Sequence, residues 1–321
     1  MSRGLPRVSF RDVGHLDLAI QRSLAAFPPD IDLVVGIPRS GILAAGLFAV
    51  HRGIPLADLH GFLEGRVLTA GARLATADHA TIDTARRILV LDDSVFSGSA
   101  IAKARDLIDA AGLGDRVVYG AVFVVPSATS LVDIHCEIVP PPRVFSWNLM
   151  SHSVLERSCL DIDGVLCFDP TDEENDDGPR YREFLENAAP HMRPSRRVHA
   201  LVTSRLEKYR PETEAWLACH GVEYDELVML DLPDAETRRA LNGHAAFKAE
   251  FYAASDAILF IESNAKQAHE IARRSRKPAL CTDDGSFHDG LSAPERTLRR
   301  QTRRVRMQMR RLRRLSPSRR P

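Results

Sequence analysis

Ile88-Leu89-Val90-Leu91-Asp92-Asp93-Ser94-Val95-Phe96-Ser97-Gly98-Ser99-Ala100 is the stretch from which the fold is read. Its first four residues are apolar without a break, the pattern of a strand buried on both faces in a parallel sheet. Asp92 and Asp93 follow at the carboxyl end, where open α/β sheets bind ligands. From Ser94 the chain turns through small residues into a helix. Backbone N–H groups and the hydroxyls of Ser97 and Ser99 suit a phosphate there, and Gly98 permits its close approach. Carboxylates accept hydrogen bonds from ribose hydroxyls, so the composite suits a sugar that carries a phosphate. Each contact to the charged phosphate would contribute about 1.5 to 3 kcal/mol. As surface or N-cap residues alone, the acids would leave the rest of the pattern unexplained.

This stretch resembles the phosphoribosyl pyrophosphate (PRPP) signature of the type I phosphoribosyltransferases, with Asp92 to Ala100 as PRPP-binding residues. Phe96 departs from the pattern, since that family usually has a small residue there. Upstream, Ile31 to Ile37 reads as a strand leading into Pro38-Arg39-Ser40-Gly41 and a helix through Val50. The resemblance implies that Arg39, Ser40, Gly41 and their amides hold the diphosphate, in a loop that often contains a non-proline cis peptide. It also places a mobile loop between Leu63 and Arg87, with Arg66, Arg73 and His79 as its basic residues. Val117 to Val125 is a further strand. After Pro140-Pro141-Pro142 comes Val144-Phe145-Ser146-Trp147-Asn148, whose aromatic pair either stacks a base or packs a domain junction.

A second phosphate-handling pattern starts at Cys159-Leu160-Asp161-Ile162-Asp163-Gly164-Val165-Leu166. Two carboxylates, two residues apart just past a short apolar strand, allow one to attack phosphorus while the other shuttles a proton. A phosphate dianion would repel both, so the chemistry calls for Mg2+ and a nearby cation. The motif resembles the first motif of the haloacid dehalogenase (HAD) superfamily, and three further segments follow in that family's order. His199-Ala200-Leu201-Val202-Thr203-Ser204 ends in the hydroxyl that would bind phosphate. Lys248 matches the lysine that holds nucleophile and phosphate. Ile258 to Glu262 matches the strand that delivers a metal-binding acid. By this resemblance Asp161, Asp163, Thr203 and Lys248 are catalytic, and Asp161, Asp163 through its carbonyl, and Glu262 bind Mg2+. Many members carry two acids at the last strand end; Ser263 follows Glu262 here, leaving Asn264 or water to complete the shell.

The 321 residues, 44% hydrophobic and 27% charged, suit two soluble domains, and the two resemblances imply that both are α/β and Rossmann-like, a phosphoribosyltransferase fold over 1–150 and a HAD-like fold over 151–290. About 40 residues separate Asp161 from Thr203, too few for more than a minimal cap. Its acidic segment, Asp169 to Gly178, reads as a solvated loop, followed by a helix over Tyr181 to Ala189. No stretch approaches the roughly 20 apolar residues of a membrane span and the N-terminus lacks a signal-peptide core, so a cytoplasmic protein is expected. Five cysteines without a CxxC pair read as buried thiols. The zero net charge conceals an asymmetry. Arg296 to Arg320 holds twelve arginines and no acid, leaving 31 basic against 43 acidic residues before it. Leu298, Val305, Met309 and Leu312 recur there at helical spacing, so residues 291–321 read as a basic tail, helical or disordered. Nucleic acid, an anionic surface, an acidic partner or the acidic body itself could attract it.

Together the two resemblances imply a bifunctional enzyme. A nitrogenous base would displace pyrophosphate from PRPP, and the nucleotide's 5'-phosphate would then be hydrolysed through an aspartyl-phosphate to give a nucleoside. The rival is a PRPP- or nucleotide-binding regulator that engages RNA or a protein through the tail and has a weak phosphatase half. A homodimer is expected from the transferase resemblance alone.

Overall fold

The computed structural model describes residues 8–68, 80–241, 243–291 and 295. Arg73 and His79 of the expected mobile loop, and the tail from Arg296 to Arg320, lie outside the described residues. The chain divides into two compact units, one spanning Val8–Leu149 and the other containing the described residues from Met150 onward.

The first unit opens with β1 (Ser9–Arg11) and α1 (Val13–Ser23), whose N-terminus is held by a reciprocal cap between Asp12 and His15. Its main elements follow as β2 (Leu33–Gly36), α2 (Ser40–Arg52), β3 (Leu56–Asp58), α3 (Leu59–Leu63), β4 (Ile88–Val95), α4 (Ser99–Ala110), β5 (Val117–Val124), β6 (Ile134–Ile138) and β7 (Arg143–Phe145). Five strands form one sheet in the order β3-β2-β4-β5-β6, every neighbouring pair parallel. β1 and β7 pair separately. Alternation along β4 explains why its residues are apolar without a break. Ile88 and Val90 enter the core on one face with Ile101 and Val124, while Leu89 and Leu91 enter the other with Phe48 and Phe123. Each such side chain contributes about 1.5 to 3 kcal/mol of burial.

β4 is longer than its apolar run suggests. It continues through the acids because Asp92, Ser94 and Val95 pair with Ala121, Phe123 and Val124 of β5. Val95 is a core residue, not a loop residue, with its side chain 2% exposed and its carbonyl accepting the N–H of Val125.

The second unit runs β8 (Ser158–Leu160), α5 (Pro179–Asn187), β9 (Val198–Leu206), α6 (Arg210–Cys219), β10 (Tyr224–Leu230), α7 (Ala235–Leu241), α8 (His244–Ala254), β11 (Leu259–Glu262), α9 (Ala265–Ser275), β12 (Ala279–Cys281) and β13 (Phe287–His288). Its sheet order is β10-β9-β8-β11-β12-β13, parallel except for β13. Cys159, Val202, Tyr252, Phe260 and Ile271 form a core on one face. The acidic segment is not merely solvated. Asp176 accepts the N–H groups of Gly178 and Tyr181, and Asp177 accepts Lys208, the Tyr209 hydroxyl and the N–H of Ala235. Of the cysteines, Cys159, Cys167 and Cys281 are buried, Cys136 is half-buried and Cys219 exposed.

Candidate functional site

In the first unit the strand order reverses direction between β2 and β4, the crevice where doubly wound sheets place ligands. Asp92 and Asp93 are both buried there. Asp93 N–H donates to Asp92 Oδ1 at 2.9 Å, and Trp147 Nε1 donates to Asp93 Oδ2 at 2.8 Å. Burial pushes the Asp92 carboxyl well up, and the adjacent Asp93 charge pushes the same way. Burial also raises Asp93, against the hydrogen bonds from Asp92 and Trp147 and the pull of Arg143. Such a pair keeps a proton to higher pH than free carboxylates do. It can then donate as well as accept, which suits sugar hydroxyls.

The loop after β2 comes close to these acids. A Cβ on Gly41 would lie 2.8 Å from the Leu91 carbonyl oxygen and 3.1 Å from Asp92 Oδ1, so only glycine lets α2 start against β4. The Pro38–Arg39 peptide is cis. Arg39 is exposed and Ser40 half-buried. After β4, Gly98 has φ +81° and a Cβ there would meet Leu131 Cδ1 at 2.6 Å. Ser97, Ser99 and Ala100 are exposed at the start of α4, where the first backbone N–H groups have no helical acceptor. Ser97 Oγ accepts the Ser99 N–H at 3.4 Å. Arg66 of the expected basic set pairs with Glu64. Trp147, left open between two roles by sequence, bonds the acid pair directly. Arg143 was not singled out by sequence, although it is 7% exposed and lies beside both acids.

In the second unit the switch point falls between β8 and β11, and it gathers residues far apart in sequence. Lys248 Nζ donates to Asp161 Oδ2 at 2.5 Å, to Glu262 Oε2 at 2.8 Å and to Gln267 Oε1 at 3.2 Å. One ammonium thus faces two buried carboxylates. Burial pushes Asp161 up to about 8 against the pull of Lys248, with Glu262 and Asp163 adding repulsion. Burial alone would lower Lys248, but Asp161 and Glu262 outweigh it and raise the ammonium. Asp161 Oδ1 accepts the Ile162 N–H at 2.9 Å.

Asp163 is held by a residue that sequence reasoning missed. Arg205, fully buried on β9, donates through Nε and Nη2 to Asp163 at 2.6 to 3.2 Å, and through Nη2 to Cys167 Sγ at 3.3 Å. Its only sequence signal is a charge inside an apolar strand, which demands a buried partner. Thr203 is fully buried and its Oγ1 accepts the Arg205 N–H at 3.2 Å. Ser263 Oγ lies 3.5 Å from the Asp163 carbonyl, and Gly164 (φ +73°) packs against that same serine. Asp169 also belongs here; burial raises its carboxyl, and Asp163, Asp283 and Glu262 raise it further.

Among the described residues no three His, Cys, Asp or Glu side chains converge as a metal cage. The expected set is of another kind, two carboxylates and one carbonyl. Asp161, the Asp163 carbonyl and Glu262 are hard oxygen donors at a site with surplus negative charge, which fits Mg2+ chemically. Glu262 has the least capacity to spare, because Oε1 already accepts the Ser263 and Asn264 N–H groups. Asn264 cannot complete the shell as it stands. Its Oδ1 caps α9 by accepting from Lys266 and Gln267.

No known family's sequence profile matches the chain. The adenine phosphoribosyltransferase of Cenarchaeum symbiosum is 26% identical over 127 residues, which cover 37% of this chain and 73% of that protein. Among solved structures, the Helicobacter pylori xanthine-guanine-hypoxanthine phosphoribosyltransferase superposes with a TM-score of 0.34 at 14% identity, over 44% of this chain and 92% of that one. A Pyrococcus horikoshii purine phosphoribosyltransferase gives 0.32 at 16% identity, over 44% and 93%. The N-terminal region of the chain is phosphoribosyltransferase-like. Among the described residues, no helix is long and apolar enough to cross a membrane.

Proposed function

We propose that the chain makes a nucleoside-like product in two steps, a phosphoribosyl transfer in the first unit and a phosphomonoester hydrolysis of HAD type in the second. The observation that carries the reading is an acid pair at the switch point of each sheet, Asp92 with Asp93 and Asp161 with Asp163. The second pair stands beside a lysine.

In the first step Asp92 and Asp93 hold the ribose hydroxyls of PRPP, Ser97 to Ala100 its 5'-phosphate, and Arg39, Ser40 and Gly41 its diphosphate. A base nitrogen forms the bond to C1', the C1'–O bond breaks with its electrons leaving on pyrophosphate, and the nitrogen gives up its proton. In the second step an Asp161 oxygen forms a bond to phosphorus and the bond to the ribose oxygen breaks. Asp163 supplies the proton to that oxygen, then takes one from the water that releases phosphate. To do so, an Asp163 oxygen must leave its bond with Arg205. Lys248 compensates charge developing on phosphorus, and the Thr203 hydroxyl would do so after turning from its bond with Arg205 N–H. Mg2+, held by Asp161, the Asp163 carbonyl and Glu262, would supply Lewis-acid stabilisation of the phosphate.

The clamp on Asp163 and the saturation of Glu262 favour a second reading for this unit, in which it binds a phosphorylated ligand without turnover. Both readings are separated by mass spectrometry of the full chain incubated with Mg2+, PRPP and a panel of bases, alongside Asp161→Asn. Sequential synthesis gives a nucleoside from the wild type and the matching nucleotide from the variant. A nucleotide from both supports binding without hydrolysis. PRPP left intact with every base, while RNA or a protein is retained, refutes synthesis and supports the regulator.

A further inference from the structure

We propose that Arg143 and Phe96 form the corner of the first unit that receives the base, and that this base presents a ring carbonyl rather than an amino group to it. The inference rests on the transferase reading above and names the substrate class of that same site.

Nη1 of Arg143 is buried and has no hydrogen-bond partner among the described residues, although the residue is 7% exposed. A guanidinium is not buried with an unused N–H without consequence, because it has given up water for nothing at that atom. Its place in the site is fixed by what surrounds it. Its Cζ lies 5.1 Å from the centroid of the Phe145 ring and 5.6 Å from that of Phe96. Phe145 stacks on Trp147 with centroids 4.9 Å apart, and Trp147 Nε1 bonds Asp93. Burial lowers Arg143, while the charges of Asp93 and Asp92 hold it up, so the cation stands beside the acids assigned to the ribose.

Phe96 completes the corner. It directly follows Val95, the last residue of β4, and the residue is 62% exposed, whereas Phe145 is 1% exposed. An exposed ring held near a guanidinium offers a flat apolar face, the surface on which a heterocycle stacks. Together the two residues offer a flat apolar face and one unpaired N–H donor, but no acceptor.

That one-sidedness selects the ligand. Guanidinium N–H groups donate only, so they pair with a carbonyl oxygen, or with a carbonyl and a neighbouring ring nitrogen, and oppose an exocyclic amine. A phosphate is the weaker candidate for the spare N–H. A dianion would sit against Asp92 and Asp93, and the start of α4 is better placed for it. A neutral oxo-heterocycle meets neither objection.

The test uses full-length protein carrying Asp161→Asn, so that nucleotides are retained, and reads binding by calorimetry. Probes are inosine against adenosine 5'-monophosphate and uridine against cytidine 5'-monophosphate, with PRPP titrated separately. The expected result is at least about tenfold tighter binding of the oxo member of one pair and a loss of that preference in Arg143→Met. Phe96→Ala, an exposed position that leaves the core intact, should weaken both members of the pair alike. Equal binding of oxo and amino nucleotides by the wild type overturns the inference without any variant having to fold, while PRPP binding preserves the transferase reading. Weakened PRPP with unchanged nucleotide preference in Arg143→Met also overturns it, placing the spare N–H on phosphate. Failure of PRPP and all four nucleotides to bind removes the transferase reading and this inference with it.

Discussion

Lys248→Met removes the ammonium between Asp161 and Glu262 while nearly preserving the volume of the side chain. The three side chains are 2%, 8% and 1% exposed for Lys248, Asp161 and Glu262, so water cannot take over the lost interaction. Breaking a buried ion pair from one side costs about 3 to 5 kcal/mol, mostly from the charge left behind. Two carboxylates share this lysine, which places the expected loss in the upper half of that range once the pH exceeds about 8. The acids can escape by taking up protons, and that fixes the pH dependence. Asp161 is already raised from 3.8 to about 8, and it rises further without the cation. A carboxyl whose folded value exceeds its unfolded value binds more protons when folded, so stability falls as pH rises between the two values. The two proteins therefore lose stability in parallel below pH about 8, and the variant's deficit should be smaller near pH about 6, where both keep the Asp161 proton, and grow toward pH about 9.5, where only the wild type has released it. The chain has two tryptophans, Trp147 in the first unit and Trp216 in the second. Urea unfolding in a Trp147→Phe background, followed by fluorescence, thus reports the second unit alone. Adding Glu262→Gln should recover part of the loss. A deficit below about 1 kcal/mol at the higher pH, or one equal at both, would refute the electrostatic account of this site.

Four other substitutions probe the geometry. Gly164→Ala places a methyl against Ser263 in a left-handed conformation, and should lower second-unit stability by about 2 to 4 kcal/mol in the same urea assay. Ser263→Gly in that protein should return the steric share and leave about 1 to 2 kcal/mol. Gly41→Ala sets a Cβ against the backbone of Leu91 and should raise the KM for PRPP about tenfold or more in an assay of pyrophosphate release; an unchanged KM would show that the approach of α2 to β4 does not shape the site. Arg205→Lys keeps the charge but not the paired donors, so phosphomonoester turnover should fall about 10- to 100-fold with the fold intact by circular dichroism. Normal turnover in that variant would mean that Asp163 needs no such holder.

Both acid pairs were legible in sequence because each combines a local apolar run with acids at its end, and β4 and β8 follow from such runs without knowledge of the partner strands. The end of β4 was not legible. Ser94 and Val95 read as loop, yet pairing with Phe123 and Val124 carries the strand on, and that pairing lies about 30 residues away in the chain. Arg205 escaped notice for a similar reason. Its partner Asp163 is 42 residues distant, and nothing within β9 announces it. The acidic segment misled in the other direction. Composition says solvated loop, but Asp177 binds three donors from Lys208, Tyr209 and Ala235, so a charge-rich segment became a structural pin. Periodicity reports burial, whereas partner identity depends on distances through space.

The two acid pairs occupy equivalent places in their sheets and still differ in the chemistry open to them, because their partners differ. Asp92 and Asp93 are adjacent, share a hydrogen bond from backbone to carboxylate, and meet a neutral indole donor, with Arg143 acting at longer range. A pair raised by burial and faced by a neutral donor is suited to exchange hydrogen bonds with hydroxyls, and it is a poor nucleophile while it keeps its proton. Asp161 and Asp163 stand two residues apart, and each has its own cation, Lys248 for one and Arg205 for the other. Separate cations give the two carboxylates different surroundings, as a nucleophile and a neighbouring proton carrier require. Exchanging the partners should then exchange the roles in part. Lys248→Met would leave Asp161 in the condition of Asp92, buried and protonated, so the full chain should lose phosphomonoester hydrolysis while retaining transfer from PRPP. A Lys248→Met protein that hydrolyses a nucleotide as fast as the wild type would show that the lysine does not set the state of Asp161.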